Sequence, residues 1–187
     1  VTASGVTNTI TPPADATLYK VADGTYVLED DIAAFVDNDP YLSLQDAIDA
    51  AAQGDGVVDL YNDIDGVTVN VPAGADITVN GKGHTLTLAA GATGVFNGVA
   101  SDNTEGLQSD TSLMVNNVNF KGASDSQTGH AVITGLNASG VNVTLSGCTF
   151  ENLHDAVYCN AVTDSDAEAN TISIADSTFT NVAYIYG

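Results

Sequence analysis

A chain of 187 residues with 24 acidic side chains, three lysines and no arginine carries a formal net charge of −21. This charge excludes nucleic acid as a partner, because contacts to phosphate need Lys or Arg, and it opposes binding to an anionic membrane. No apolar run approaches the roughly 18–20 residues that span a bilayer, so we expect no membrane insertion. A hydrophobic content of 44% fits a folded, secreted protein that its charge keeps soluble.

Residues 1–40 are the least regular part of the chain and predict an N-terminal cap region of short strands. The segment 17–30 predicts a hairpin, because an Asp23-Gly24 dipeptide between two apolar segments is a strong turn signal. Residues 41–187 predict one helix followed by repeated short strands. We expect the two regions to form one structural domain.

One amphipathic helix is predicted at residues 43–53. Ser43 is a suitable N-cap with Asp46 three residues later, and Gly54 ends the pattern. The apolar residues recur at helical spacing in a single stripe, formed by Leu44, Ala47, Ile48 and Ala51. We expect this stripe to cover the open first coil of the structure that follows.

After Gly54 the chain alternates apolar and polar residues in short strands separated by turns. The strands are VVDLY (57–61), VTVNV (67–71), ITVNG (77–81) and TLTLA (85–89). Further along, the phrases VNNVNF, LSGCTF and IADSTF superimpose without gaps and set Phe120, Phe150 and Phe179 apart by 30 and 29 residues. A strand repeat of this length predicts a solenoid in which each coil adds about three short parallel strands.

Residues 41–187 resemble a known family. The phrase SLQDAIDAAAQGDGVVDLYND, followed by ITVNGKGHTLTL, is similar to the entry into right-handed parallel β-helices of the pectin-lyase-like superfamily. The repeat TLSGCTFENLHDAVYCN is similar to repeats of bacterial cell-surface and adhesin-like β-helix proteins. The resemblance implies an all-β fold: a right-handed, single-stranded parallel β-helix with a short N-terminal capping α-helix. Because this fold hosts enzymes and non-enzymes alike, the resemblance specifies the fold better than the activity.

The family register predicts which side chains face the core. The inward positions of one face are Leu145, Cys148 and Phe150, with Val115, Val118 and Phe120 above and Ile174, Ser177 and Phe179 below. In another strand the inward residues are Val95, Val132, Val157 and Tyr184. Their neighbours then form an outward apolar ladder, either covered by another segment or available to a partner: Phe96, Ile133, Tyr158 and Ile185. Cys148 and Cys159 are either buried free thiols or a disulfide within one coil.

Polysaccharide cleavage is one activity that the resemblance implies. Lyases of this fold set carboxylate-bound calcium beside a basic residue, and the three scattered lysines of this chain do not supply one. Glycoside hydrolysis needs two carboxylates at roughly 5–10 Å. Asp155 with Asp176, or Asp125 with Asp155, are the candidate pairs. The alternative is that these aspartates are solvated turn residues.

An acidic loop is the candidate metal site. Asp164, Asp166 and Glu168 alternate along VTDSDAEAN and offer oxygen ligands for Ca²⁺, the one cofactor expected, although the EF-hand glycine and distal glutamate are absent. A solvated loop is the alternative. His154 precedes Asp155, but adjacent strand residues point to opposite faces, so we expect a surface or turn histidine there.

The function expected is a non-catalytic extracellular module, structural or adhesive, on a bacterial surface. Its expected partners are a host or cell-wall glycan or a protein. A carbohydrate-active enzyme, a polysaccharide hydrolase or lyase, is the alternative, followed by a protein that binds another ligand on a flat face. Because the chain begins with Val1 and its last residues fall in a predicted core strand, we expect its C-terminal coil to continue into further chain or to pack on another chain.

Overall fold

Short strands make up almost all of the secondary structure. A computed structural model describes residues 16–21, 24–98 and 105–187. Within these residues there are nineteen strands, one α-helix and one 3-10 turn. The protein is therefore all-β, and its three main sheets are parallel, as the sequence predicts.

The described residues before the helix form two antiparallel pairs. Strands β1 (Leu18–Lys20) and β2 (Tyr26–Leu28) form the predicted hairpin, whose turn includes residues 22 and 23 outside the described part of the chain. A 3-10 turn at Glu29–Asp31 leads to β3 (Ala34–Val36) and β4 (Asp39–Tyr41), which pair with each other.

The predicted helix is confirmed as α1 (Leu44–Ala51). The backbone N–H of Asp46 donates to the Ser43 hydroxyl at 3.1 Å, which satisfies one of the free donors of the first turn. The chain leaves the helix at Gly54, whose N–H donates to the carbonyl of Ala51 at 2.9 Å. All four residues of the predicted stripe are buried: Leu44, Ala47, Ile48 and Ala51.

The rest of the chain repeats a unit of three consecutive strands, here named a coil. The first coil contains β5 (Val57–Leu60), β6 (Ile64–Val67) and β7 (Val69–Asn70), and the second contains β8 (Asp76–Asn80), β9 (Thr85–Leu88) and β10 (Gly94–Asn97). The third coil contains β11 (Ser112–Asn116), β12 (Asn119–Lys121) and β13 (His130–Thr134), and the fourth contains β14 (Asn142–Ser146), β15 (Thr149–Glu151) and β16 (Asp155–Cys159). The fifth coil contains β17 (Thr171–Ala175), β18 (Thr178–Thr180) and β19 (Tyr184–Tyr186).

Each coil contributes one strand to each of three parallel sheets. The first sheet joins β5, β8, β11, β14 and β17 and continues through β3 into β4. The second sheet joins β6, β9, β12, β15 and β18, and the third joins β7, β10, β13, β16 and β19. Helix α1 contacts β3, β5 and β7. It therefore lies at the first coil, where the sequence analysis expected it.

The corners between sheets are made by residues that tolerate a left-handed backbone. Between the first and second sheets these are Asn117 (φ 52°), Gly147 (φ 64°) and Asp176 (φ 50°) in the last three coils, and Lys82 (φ 53°) with Gly83 (φ 90°) in the second coil. Between the second and third sheets they include Asn152 and Asn181, and the Asn181 side-chain amide donates to that of Asn152 at 2.7 Å. Asn, Asp and Gly adopt this conformation at the lowest cost. The repeat therefore recurs in the turns as well as in the strands.

One apolar core extends through all five coils. Phe120, Phe150 and Phe179 pair in register on β12, β15 and β18. The rings of Phe120 and Phe150 are stacked with centroids 5.3 Å apart, and those of Phe150 and Phe179 with centroids 5.0 Å apart. This confirms the predicted register, and each buried Phe contributes on the order of 2–3 kcal/mol of transfer free energy.

The predicted apolar ladder is wrong. Phe96 pairs with Val132 and not with Ile133, and the centroid of its buried ring lies 6.0 Å from that of Phe120. A shift of one residue in pairing reverses the face of every side chain, and the apolar pair 95–96 offers no pattern that distinguishes the two registers. Ile133 is buried, whereas Tyr158 and Ile185 are exposed but do not oppose each other, because Tyr186 pairs with Val157.

Both cysteines are free thiols. Cys148 is buried at the corner between β14 and β15, and its Sγ lies 3.6 Å from the carbonyl oxygen of Val115. Cys159 is half-buried at the end of β16, in the third sheet. Of the two predicted alternatives, free thiols or a disulfide within one coil, the structure therefore supports the free thiols.

No helix among the described residues is both long enough and apolar enough to span a membrane.

Candidate functional site

Three ionisable side chains meet where strands of the third sheet begin. His130 is the first residue of β13 and pairs with Asp155, the first residue of β16, in the next coil. His154 immediately precedes Asp155. These three residues are named the His–Asp cluster below.

The carboxylate of Asp155 is the centre of the cluster. Its Oδ2 lies 2.5 Å from Nδ1 of His154 and 2.8 Å from Nδ1 of His130. The Asp155 side chain is 1% exposed, that of His130 17% and that of His154 47%. Candidate ligand atoms of the three side chains all lie within 4.8 Å of one another. The cluster thus combines a buried anion with an imidazole that reaches solvent.

Backbone hydrogen bonds between coils hold the three residues in place. The N–H of His130 donates to the carbonyl of Thr93 at 2.9 Å, and that of His154 donates to Gly129 at 2.8 Å. We expected His154 and Asp155 to point to opposite faces, but their side chains meet. The alternation of a strand begins only at Asp155, and His154 lies in the preceding turn.

Two tyrosines flank the imidazoles. The Tyr158 ring stacks on His130 with centroids 4.8 Å apart and an angle of 21° between the planes. The Tyr184 ring lies 5.4 Å from that of His154. The two imidazoles meet edge to face at 5.8 Å. These contacts restrict the orientation of both rings and partly cover the cluster.

Burial governs the charge state of His130. Loss of solvent lowers the pKa of His130 below its usual range, although the neighbouring Asp155 carboxylate acts in the opposite direction. The neutral imidazole is therefore favoured at this position. Two buried atoms of the cluster, Nδ1 of His130 and Oδ1 of Asp155, make no hydrogen bond, since the 2.8 Å contact of His130 is not aligned as one.

The members of the first predicted carboxylate pair lie at different sheets, and Asp125 of the second pair lies in an exposed loop. Asp176 lies at a corner between the first and second sheets, where its left-handed backbone serves the turn, whereas Asp155 lies in the third sheet. Asp125 is exposed in the loop before β13, and its carbonyl oxygen accepts from the Asn181 amide at 3.0 Å. The polar partners of the Asp155 carboxylate are imidazoles, which sequence reasoning did not pair with it.

The acidic loop does not gather its carboxylates either. Oδ1 of Asp164 accepts from the backbone N–H of Asp166 at 3.0 Å and so closes a local turn. Glu168 contacts Gly140 through its backbone carbonyl. Within the described ranges the His–Asp cluster is the only group of His, Cys, Asp and Glu side chains that converges as metal ligands would. The predicted calcium site therefore has no support in the geometry.

A sequence signal for the cluster existed. The segments HAVIT (130–134) and DAVYC (155–159) place an ionisable residue before the same Ala-Val pair, and these segments align as neighbouring strands. The prediction for His154 considered only its neighbour Asp155 and therefore missed this alignment.

Comparison of the chain with protein-family models, with curated proteins and with solved structures found no match in any of the three.

Proposed function

We propose that the chain is a right-handed parallel β-helix that acts as a non-catalytic module of an extracellular, bacterial surface protein, with a structural or adhesive role. The observation that carries the proposal is the strand order, in which three parallel sheets each take every third strand around one continuous core. A solenoid of this kind grows by roughly 4.8 Å per coil. Such a body suits a spacer or a display surface.

The polar exterior is consistent with this role. The net charge of −21 keeps the module soluble and repels other acidic surfaces. Among the described residues, the one ion pair that involves a lysine joins Lys82 to Asp59 at 3.1 Å, and both side chains are substantially exposed. Surface charge of this kind contributes to solubility more than to folding stability.

Some aspartates that a catalytic mechanism could use have structural roles in turns instead. Asp176 forms a corner and Asp164 closes a local turn. Asp155 is enclosed by two imidazoles and two tyrosines. A glycosidase needs two carboxylates that reach one bond of the substrate, whereas the Asp155 side chain is 1% exposed and its Oδ2 contacts two imidazoles.

The edge formed by the fifth coil is the proposed contact surface. Tyr184, Ile185 and Tyr186 are exposed, and a cavity of about 450 Å³ opens there between Ile172, Ile174 and β19. In the described part of the chain β17, β18 and β19 each pair on one side only. Strand edges with exposed apolar side chains bind further β-structure. We propose that a β-strand of another chain covers this edge.

The test is a screen of the purified protein on an array of host and cell-wall glycans, with release of reducing sugar measured for every glycan bound. The non-catalytic proposal expects no sugar release from any substrate. Reproducible release of product that is lost in Asp155→Asn would contradict it and favour the carbohydrate-active enzyme. A crystal structure of the protein would test the handedness of the coils.

A further inference from the structure

The His–Asp cluster offers a set of metal-ligand atoms to which the proposed function assigns no role. Two imidazoles and one carboxylate converge from two adjacent coils, with their ligand atoms within 4.8 Å of one another. A buried carboxylate oxygen, Oδ1 of Asp155, has no donor, and Nδ1 of His130 makes no aligned hydrogen bond. Buried polar atoms without partners are rare in folded proteins and often mark the place of an ion.

We propose that His130, His154 and Asp155 bind one divalent transition-metal ion, with Zn²⁺ as the representative. Three protein ligands of this composition leave one position of a tetrahedral ion for water. Imidazole nitrogen is a good ligand for Zn²⁺, Cu²⁺ and Ni²⁺, whereas Ca²⁺ and Mg²⁺ require oxygen. The site is therefore distinct in its chemistry from the acidic loop, where calcium was expected.

The distances require a small movement. Zn²⁺ binds nitrogen and oxygen at about 2.0–2.2 Å, so tetrahedral donor atoms lie about 3.3 Å apart. The two Nδ1 atoms lie 2.5 and 2.8 Å from Oδ2 of Asp155. The imidazoles must move away from the carboxylate by less than about 1 Å to admit the ion. His154 is free to do so because nearly half of its side chain is exposed.

The protonation of the cluster suits a cation. Metal-bound histidine must present a lone pair, and burial already favours the neutral form of His130. Nδ1 of each imidazole faces Oδ2 of Asp155, so a proton on Nδ1 can bridge the contact without metal, and a bound cation would displace that proton. The net charge of −21 raises the local concentration of cations around the chain.

The surroundings act as an outer shell. Tyr158 stacks on His130 and Tyr184 lies against His154, so both rings keep their orientation. His130 and Asp155 begin the hydrogen-bonded neighbours β13 and β16, and His154 lies in the turn that precedes β16. A bound ion would therefore link the third coil to the fourth, beside the exposed edge of the fifth.

Calorimetric titration of the chelator-treated full chain with Zn²⁺ tests the proposal. We expect one tight equivalent per chain and an affinity at least about tenfold weaker in His154→Ala and in Asp155→Asn. The matched control is His84→Ala, which removes the third histidine. His84 also pairs with an aspartate, Asp63, at 3.2 Å, but outside the cluster. Its affinity should stay within about twofold of the wild type.

Two further measurements keep the test decisive if a variant folds poorly. Far-UV circular dichroism checks each variant, and the exposed His154 is the substitution with the least risk. Co²⁺ bound to the wild type should give the visible spectrum of a tetrahedral site with nitrogen ligands, absent in His154→Ala. Three results would each overturn the site and assign the metal binding to the acidic surface. They are equal Zn²⁺ affinity of the wild type and His154→Ala, a Co²⁺ spectrum of octahedral all-oxygen coordination, and thermal stabilisation by Ca²⁺ equal to that by Zn²⁺.

Discussion

Phe150 lies directly over Phe120 of the preceding coil, with ring centroids 5.3 Å apart and planes within 9° of parallel. Both rings are about 1% exposed. The pair shows how the repeat stabilises the fold, because each ring is covered by the equivalent ring of the next coil.

Replacing a ring of this stack with alanine should lower the free energy of unfolding more when the ring is more deeply buried. Phe150→Ala removes a ring enclosed by Phe120 and Phe179, and we expect a loss of about 3–5 kcal/mol in the free energy of unfolding. Phe179→Ala is the matched control, since Phe179 is only half-buried, and it should lose clearly less. Urea unfolding followed by circular dichroism measures both. Equal losses of unfolding free energy in the two variants would contradict the difference in burial between Phe150 and Phe179.

Two glycines should respond in opposite ways to alanine. A Cβ on Gly122 would lie 2.0 Å from the backbone oxygen of Asn152 in the next coil, so Gly122→Ala must push two coils apart. We expect a loss of more than about 2 kcal/mol. At Gly54 a Cβ would meet nothing nearer than 3.6 Å, and Gly54→Ala should be neutral or stabilising by up to about 1 kcal/mol. Thermal unfolding of the two variants would be compared, and a Gly122→Ala as stable as Gly54→Ala would refute the predicted clash.

The cap of α1 provides a local test. Ser43→Ala leaves the Asp46 N–H without its acceptor and should cost about 1 kcal/mol. Ser43→Thr retains a hydroxyl that can accept from this N–H and donate to the Asp46 carboxylate, as the Ser43 hydroxyl does at 2.7 Å, and should keep most of the stability. Chemical unfolding measures the difference. If alanine and threonine are equivalent at residue 43, the hydroxyl does not cap the helix in solution.

The two thiols should make stability depend on pH in the alkaline range. Burial raises the pKa of Cys148 and of Cys159, and the Asp155 carboxylate raises the pKa of Cys159 further. The unfolded thiols ionise first, near a pKa of about 8.5. Their contribution to stability is therefore complete below that pH and is lost as the pH rises towards the folded pKa values.

The measurement is the free energy of unfolding between neutral and alkaline pH. The wild type should lose more stability than the double variant Cys148→Ala/Cys159→Ala over this range. In the native protein iodoacetamide should modify Cys159, which is half-buried, faster than the fully buried Cys148. Rapid modification of Cys148 in the folded protein would contradict its placement in the core.

The sequence by itself determined the features that depend on local pattern. The spacing of Phe120, Phe150 and Phe179 predicted their register, because each repeat has the same alternation and the same turn residues. The helix followed from the Ser43 cap and a stripe with helical period, since both signals lie within a few residues of one another. The helix and the register of the Phe residues therefore follow from patterns within one segment or within one repeat.

Only the tertiary structure decided the face of Phe96 and the composition of the His–Asp cluster. Pairing between β10 and β13 is set by contacts across the whole core, and a difference of one residue reverses the side of the sheet. His130 and Asp155 are 25 residues apart in the chain and meet only because their strands begin at the same level of adjacent coils. Contacts of this kind depend on how the coils stack, and stacking is a property of the folded chain rather than of any segment.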